Sequence, residues 1–148
     1  MNTGKSPHHI VMIEDNTSDT VLLRHALDEQ GEPYRLEVLT DGESALQFVR
    51  DHCREYRPEP CLILLDLHLP RYDGVTVLRA IRSEPELAQV NVVVVTSMAS
   101  PAEKAEVIAL GVEAYLTKPM NWDETLELAR QLIAICNRWS ERTAGQVA

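Results

Sequence analysis

The chain is poor in aromatic residues and carries no run of basic residues. Aromatic side chains make up 5% of its 148 residues, and 14 Lys and Arg stand against 23 Asp and Glu, for a formal net charge of −9. Duplex binding needs clustered cations for the phosphates, and single strands are bound by stacking on aromatic rings. The composition therefore argues against a nucleic-acid partner.

Cysteine is also scarce, at three residues: Cys53, Cys61 and Cys136. In the sequence they form no Cys-x-x-Cys pair and no ligand cluster with the histidines. Cys61 opens a predicted buried strand and Cys136 falls on a predicted helix, so both are expected to be small core hydrophobes.

Long hydrophobic runs are absent. No stretch approaches the roughly 18 apolar residues of a transmembrane helix, and the N-terminus lacks the apolar segment of a secretory signal. A soluble, cytoplasmic protein with no membrane partner is expected. The length suits one domain, which we predict over residues 9–139, with a flexible N-terminus (1–8) and a C-terminal tail or arm (140–148).

Five short apolar segments alternate with helical patterns. The third, 61–65, is unbroken and ends in Asp66, which is typical of a strand buried on both faces. The fourth, 90–96, is almost entirely β-branched, and the second, 34–39, alternates as an edge strand does. The remaining two are 9–13 and 114–117.

The starts of the helices are marked by capping residues. Thr40 with Glu43, and Ser100 with Glu103, have the spacing of capping boxes. Repeated βα units with short loops predict a parallel sheet covered by helices on both faces. The fold class expected is α/β, a flavodoxin-like (βα)5 doubly wound sheet with strand order 2-1-3-4-5.

Polar residues follow four of these strands: Glu14 and Asp15, Asp66, Thr96 and Lys118. The carboxyl ends of parallel strands share one edge, so three carboxylates would crowd together. Each like-charge pair at about 4 Å costs on the order of 4 kcal/mol at an effective dielectric near 20. A hard cation relieves this repulsion, and Mg²⁺ fits two carboxylates with retained waters. An ammonium and a hydroxyl beside it suit phosphoryl oxygens.

Together these residues resemble the receiver domains of two-component response regulators. The resemblance covers about 9–139 and rests on Glu14-Asp15, Asp66 with Pro70 and Asp73-Gly74, Thr96-Ser97, and Lys118-Pro119. It implies that Asp66 accepts a phosphoryl group from a sensor histidine kinase. It also implies a Mg²⁺ ion held by Asp15, Asp66 and the backbone carbonyl of His68, with Glu14 acting through water.

The resemblance implies roles for the other site residues. Lys118 would pair with the phosphoryl oxygens and Thr96 would hydrogen-bond to them, a pull that moves Tyr115. His68 and Met98 occupy positions that tune hydrolysis, and Met98 cannot orient an attacking water. We therefore expect a phosphoryl acceptor with slow autodephosphorylation rather than an enzyme.

The sequence also indicates which proteins the chain binds. The stretch 64–74 is similar to that of small regulators paired with bacterial phytochrome kinases. Kinase specificity is expected in the loop after the fifth strand and on the first helix, around Asp19, Leu22, Leu23 and His25. The signal is expected to leave through the helix 4–strand 5–helix 5 face to an unknown protein. A second apolar stripe on the last helix predicts a homodimer. Its residues are Leu128, Leu132, Ile135 and Trp139.

Three alternatives compete with this interpretation. A Mg²⁺-dependent aspartyl-phosphate hydrolase of the haloacid dehalogenase type needs an Asp two residues after the nucleophile, where this chain has His68. A flavodoxin-like FMN binder needs a small, neutral loop after the first strand, where Glu14 and Asp15 would repel phosphate. A phosphorylation-independent scaffold stays open, although every acceptor-site residue is present.

Overall fold

The structure is a computed structural model that describes residues 6–54, 59–98 and 100–145. Five strands alternate with five helices in these ranges. They are β1 (His8–Ile13), α1 (Thr17–Asp28), β2 (Tyr34–Leu39), α2 (Gly42–Arg54), β3 (Leu62–Leu65), α3 (Gly74–Ser83), β4 (Val92–Thr96), α4 (Pro101–Ala109), β5 (Ala114–Thr117) and α5 (Trp122–Gly145). Within the described ranges, no helix has the length and apolar character to cross a membrane.

The strands form one parallel sheet in the order β2-β1-β3-β4-β5, which confirms the predicted fold. Every residue of β3 and β4 is buried. One core cluster joins α1 and α5 to one face of the sheet, and a second joins α2 and α3 to the other face. The unbroken apolar runs therefore reflect strands covered on both sides.

The register of the sheet aligns the strand ends. Ile13 of β1 pairs with Leu65 of β3, so the residues that follow each strand emerge side by side. The backbone N–H of Asp66 donates to the carbonyl of Ile13 at 3.0 Å, and that of Lys118 donates to the carbonyl of Thr96 at 3.1 Å. The predicted polar residues thus share one edge.

Of the two predicted capping boxes, one is confirmed. Ser100 and Glu103 exchange both hydrogen bonds, each at 3.1 Å. The other prediction is wrong, because α2 begins at Gly42 and Asp41 caps it by accepting from the Ser44 N–H at 2.7 Å. Asp is preferred over Thr at an N-cap, so the carboxylate takes the position next to Thr40.

The last helix extends beyond its predicted end near Trp139. α5 continues through Gly145, and the hydroxyl of Thr143 donates to the carbonyl of Trp139 at 3.0 Å within it. No helix-breaking residue intervenes between them, so the predicted tail is helical over 140–145. β1 already begins at His8, within the predicted flexible N-terminus. Residues 1–5 and 146–148 lie outside the described residues.

The predicted dimer face on α5 is wrong. Leu128, Leu132 and Ile135 are only 8%, 0% and 7% exposed, and Trp139 packs partly buried against the same core cluster. The Trp139 indole N–H donates to a carboxylate oxygen of Glu59 at 3.3 Å. The reason is that α5 packs against both α1 and the sheet, so this stripe is covered within one chain.

The expectation that Cys61 and Cys136 are separate core thiols is also wrong. Both are buried, but they form a disulfide whose Cα atoms are 5.1 Å apart. The fold brings the start of β3 against α5 across 75 positions of sequence. A separation of that length gives no pairing signal in the sequence.

Candidate functional site

Three carboxylates meet at the carboxyl edge of the sheet. Glu14 and Asp15 follow β1 and Asp66 follows β3, and each offers an oxygen within 4.8 Å of the others. Glu14 and Asp66 are buried, whereas Asp15 is exposed. The structure therefore brings together the carboxylates that the sequence analysis assigned to a cation.

Asp66 is held from two sides. Its Oδ1 accepts from the backbone N–H of His68 at 3.0 Å, and its Oδ2 lies 3.2 Å from the Lys118 ammonium. The loop behind it is closed by Gly74, whose N–H donates to the Leu67 carbonyl at 2.8 Å. A Cβ on Gly74 would lie 2.5 Å from the carbonyl oxygen of Asp66. Only glycine permits this close approach of the backbone.

Lys118 contacts two further carboxylates. Its Nζ lies 2.8 Å from Glu14 and 2.9 Å from Asp19. Burial lowers the pKa of Lys118, but the hydrogen bonds to Glu14 and Asp19 and the nearby charges outweigh it, so the pKa is raised above its usual value. The ammonium is therefore charged at neutral pH.

Asp19 is a site residue that the sequence analysis missed, having been assigned to the kinase contact. It lies in the first turn of α1, where its backbone N–H donates to the capping side chain of Asn16 at 3.1 Å. An acidic residue there is ordinarily explained by the helix dipole. Its role beside Lys118 depends on how α1 sits above the sheet edge, which no local pattern shows.

Glu14 has a perturbed pKa. Burial raises the pKa of Glu14 to about 7, against the opposing hydrogen bonds from Lys118 and from the Asn16 backbone N–H. Its carboxyl group is therefore near half-protonated at neutral pH in the absence of a cation. A bound divalent cation would favour the ionised form.

Thr96 and His68 meet at the backbone carbonyl of Met98. The buried hydroxyl of Thr96 donates to the backbone carbonyl of Met98 at 3.3 Å, and the imidazole Nε2 of His68 contacts the same oxygen. The two predicted tuning positions are thus connected through the backbone of Met98. The side chain of Met98 points away and is 76% exposed.

Tyr115 lies on the neighbouring strand, partly buried against the α2–α3 side of the core. In the register, Tyr115 pairs with Val94, and Thr96 pairs with Thr117 two residues farther along. Burial and the nearby charge of Glu103 raise the pKa of Tyr115, and the ammonium of Lys104 lies 5.4 Å from its ring centroid.

The donor set fits a hard cation. Three carboxylates (Glu14, Asp19 and Asp66) contact the ammonium of Lys118, and a fourth, that of Asp15, lies within 4.8 Å of Glu14 and Asp66. The excess negative charge needs compensation, and an all-oxygen set suits Mg²⁺ better than a soft metal.

Comparison with known proteins agrees with this geometry. The sequence model of the response regulator receiver domain matches residues 10–130. The chain belongs to this family. Receiver domains generally bind Mg²⁺, in accord with the oxygen-rich edge.

Two relatives are each 34% identical to the chain. One is the response regulator Rcp1 of Synechocystis, aligned over 84% of this chain and 85% of its own length. The other, from Methanothrix harundinacea, is described as a probable methanogenesis regulatory protein, FilR2, and aligns over 82% and 78%.

Solved structures show the same likeness. The phosphorylated cyanobacterial phytochrome response regulator RcpA is 30% identical, with a TM-score of 0.76, covering 86% of this chain and 91% of its own. A Mn²⁺-bound form of Rcp1 is 33% identical, with a TM-score of 0.75, covering 85% and 91%. The receiver domain is therefore related to response regulators of phytochromes.

Proposed function

We propose that this receiver domain accepts a phosphoryl group on Asp66 from the phosphohistidine of a sensor histidine kinase, in a Mg²⁺-dependent reaction. The observation that carries the proposal is the position of Asp66. Its carboxylate is held by the His68 N–H and by Lys118, and it lies within 4.8 Å of Glu14 and Asp15. Glu14 is held in the same way, by the Asn16 N–H at 3.1 Å and by Lys118 at 2.8 Å. Asp66 is distinguished from it by its place directly after β3, the central strand of the sheet.

Transfer requires one bond to form as another breaks. A carboxylate oxygen of Asp66 bonds to phosphorus while the phosphorus–nitrogen bond breaks, and the imidazole nitrogen keeps the electron pair and takes up a proton. Lys118, already 3.2 Å from Asp66, exchanges Glu14 or Asp19 for a phosphoryl oxygen. This exchange costs little because the ammonium keeps an anionic partner throughout.

The residues that would hold Mg²⁺ are Asp15, Asp66 and the backbone carbonyl of His68, with Glu14 acting through water. When bound, Mg²⁺ supplies positive charge that offsets the charge of the transferring group. Asp15 is the exposed member of the carboxylate set, so it keeps the approach from solvent open.

A switch follows from the hydroxyl of Thr96. It donates to the Met98 carbonyl at 3.3 Å, and a phosphoryl oxygen on Asp66 is a stronger, charged acceptor. Rotation toward the phosphoryl group would release one of the two hydrogen bonds to that carbonyl and free space for Tyr115 to move inward. The helix 4–strand 5–helix 5 face, which includes the exposed Ile108, would then signal to a downstream protein.

The kinase we propose is of the bacterial phytochrome class, on the strength of the likeness to Rcp1 and RcpA. Leu22 is exposed on α1, one turn from Asp19, and offers an apolar contact beside the acceptor site. The prediction for Leu23 is wrong, because Leu23 is only 2% exposed and packs in the core between α1 and the sheet. A homodimer stays a prediction, although the α5 stripe is not its face. Sedimentation with and without a phosphoryl mimic tests it.

The deciding experiment is phosphotransfer from purified kinases that have been autophosphorylated with labelled ATP. Wild type is compared with Asp66→Asn, with Asp51→Asn on α2 as a matched control. We expect Mg²⁺-dependent label on wild type and on the control, and none on Asp66→Asn. Label that persists on Asp66→Asn would overturn the acceptor, and faster transfer from a non-phytochrome kinase would overturn the proposed partner.

A further inference from the structure

A second group of metal-ligating side chains lies at the amino edge of the sheet, opposite Asp66. His8 begins β1, Cys61 directly precedes β3, and Cys136 lies on α5. Their ligand atoms all lie within 4.8 Å of one another. The three residues are 7%, 1% and 0% exposed. Two sulfurs and an imidazole, closely grouped and buried, are the donors that soft divalent cations prefer.

The imidazole of His8 is oriented by a carboxylate. Its Nε2 lies 3.1 Å from one oxygen of Glu32, and the side-chain amide of Asn137 donates to the other oxygen at 3.1 Å. Histidines that bind metals typically use one ring nitrogen for the metal and the other for a carboxylate. Nδ1 is therefore the nitrogen that would face a cation, while Glu32 fixes the plane of the ring.

The sulfurs can serve as ligands only when they are reduced. In the structure Cys61 and Cys136 form a disulfide. A dithiol reductant supplies two electrons and two protons, which gives two thiols and leaves the reductant as its own disulfide. Binding of a divalent cation then displaces the two thiol protons, and the two thiolates balance its charge.

We propose that Cys61, Cys136 and His8 form a site for a cation of the Zn²⁺ class in the reduced protein, and that the disulfide excludes this cation. Water completes four-coordination. Glu32 is a positioning residue for His8. Its side chain is 26% exposed, so solvent reaches the carboxylate that orients His8. The site is chemically distinct from the all-oxygen edge at Asp66, and the proposal does not rest on phosphoryl transfer.

The test uses the full chain and Cd²⁺ as a probe, because cadmium–thiolate bonds absorb in the ultraviolet. Reduced protein, kept anaerobic with excess Mg²⁺ to occupy the carboxylates, is titrated with Cd²⁺. We expect an absorbance that saturates at one equivalent and is removed by competing Zn²⁺. The oxidised wild-type chain is the control that needs no substitution, and it should give no signal. No signal from the reduced chain would overturn the proposal.

Variants assign the ligands. Cys61→Ser and Cys136→Ser should abolish the signal, His8→Gln should weaken affinity at least tenfold, and Glu32→Gln should weaken it about tenfold. Cys53→Ser is the matched control, because Cys53 lies on α2, whereas the site is built from β1, the residue before β3, and α5. Unchanged affinity in His8→Gln, or equal effects of Cys53→Ser and Cys136→Ser, would contradict the assignment. Circular dichroism of each variant checks the fold.

Discussion

At the scale of single residues, the carboxyl edge of the sheet sets several carboxylates against the ammonium of Lys118. Lys118 touches Glu14, Asp19 and Asp66, so a change to any of these carboxylates alters the partners of the other two. Burial penalises the ionised form of Glu14 and raises its pKa.

This cost makes the stability of the Mg²⁺-free protein depend on pH. Glu14 has a pKa of about 7 in the fold against an ordinary 4.5, so the folded state binds the proton more tightly than the unfolded state. Its stabilising contribution is full below about pH 4.5 and is lost as pH rises to 7, with a limit of about 3 kcal/mol. Urea denaturation should therefore show that the difference in free energy of unfolding between wild type and Glu14→Gln changes with pH over this window and is constant above it.

The control for this experiment is Glu86→Gln, which alters an exposed glutamate. The free energy of unfolding of Glu86→Gln should differ from that of wild type by the same amount at every pH. A difference between Glu14→Gln and wild type that is likewise independent of pH would show that burial does not raise the pKa of Glu14.

Met98 permits a test of phosphoryl lifetime. Its side chain is exposed, so Met98→Glu should fold normally while placing a carboxylate where it can orient an attacking water. We expect the phosphoryl half-life to shorten about 100-fold, at the low end of what general-base assistance provides. Labelled protein is followed after removal of the kinase, and Ile108→Glu on α4 serves as the exposed control. An unchanged half-life in Met98→Glu would show that the side chain at position 98 does not limit hydrolysis of the phosphoryl group.

At the scale of elements, the β3–α3 connection joins the acceptor to the fold through Gly74. A Cβ at this position would lie 2.5 Å from both the Asp66 carbonyl oxygen and the Leu67 Cα. Gly74→Ala must therefore displace the backbone that carries Asp66. We expect a loss of about 2 kcal/mol or more in the free energy of unfolding, and at least tenfold slower phosphotransfer.

Gly31→Ala is the matched control for this substitution. Gly31 has φ +74°, but a Cβ at this position would meet nothing within 4 Å. The substitution should therefore cost about 1 kcal/mol of stability and leave phosphotransfer unchanged. Equal phosphotransfer in both variants would show that the loop tolerates a side chain behind Asp66.

The order of the strands could be predicted from the sequence, but the docking of the helices could not. The strand ends that bring Glu14, Asp66 and Lys118 together were predictable, because an apolar run and a parallel topology determine which residues emerge at one edge. The burial of Leu132 and Ile135 was not, because a helical wheel gives the width of an apolar surface but not how many neighbours cover it. Asp19 and the Cys61–Cys136 bond escaped prediction for a related reason: both depend on the docking of α1 and α5.

At the scale of the whole molecule, the disulfide ties the start of the strand that carries Asp66 to the last helix. It closes a loop of 75 positions, for which the chain-entropy model gives about 4 kcal/mol of stabilisation. Reduction should lower the free energy of urea unfolding by about that amount, and Zn²⁺ should restore part of the loss because it binds the folded state. Cys53→Ser should respond to reduction as wild type does, whereas Cys136→Ser should not respond at all. A reduced chain as stable as the oxidised one would show that the packing of α5 against α1 and the sheet holds these elements together without the covalent link.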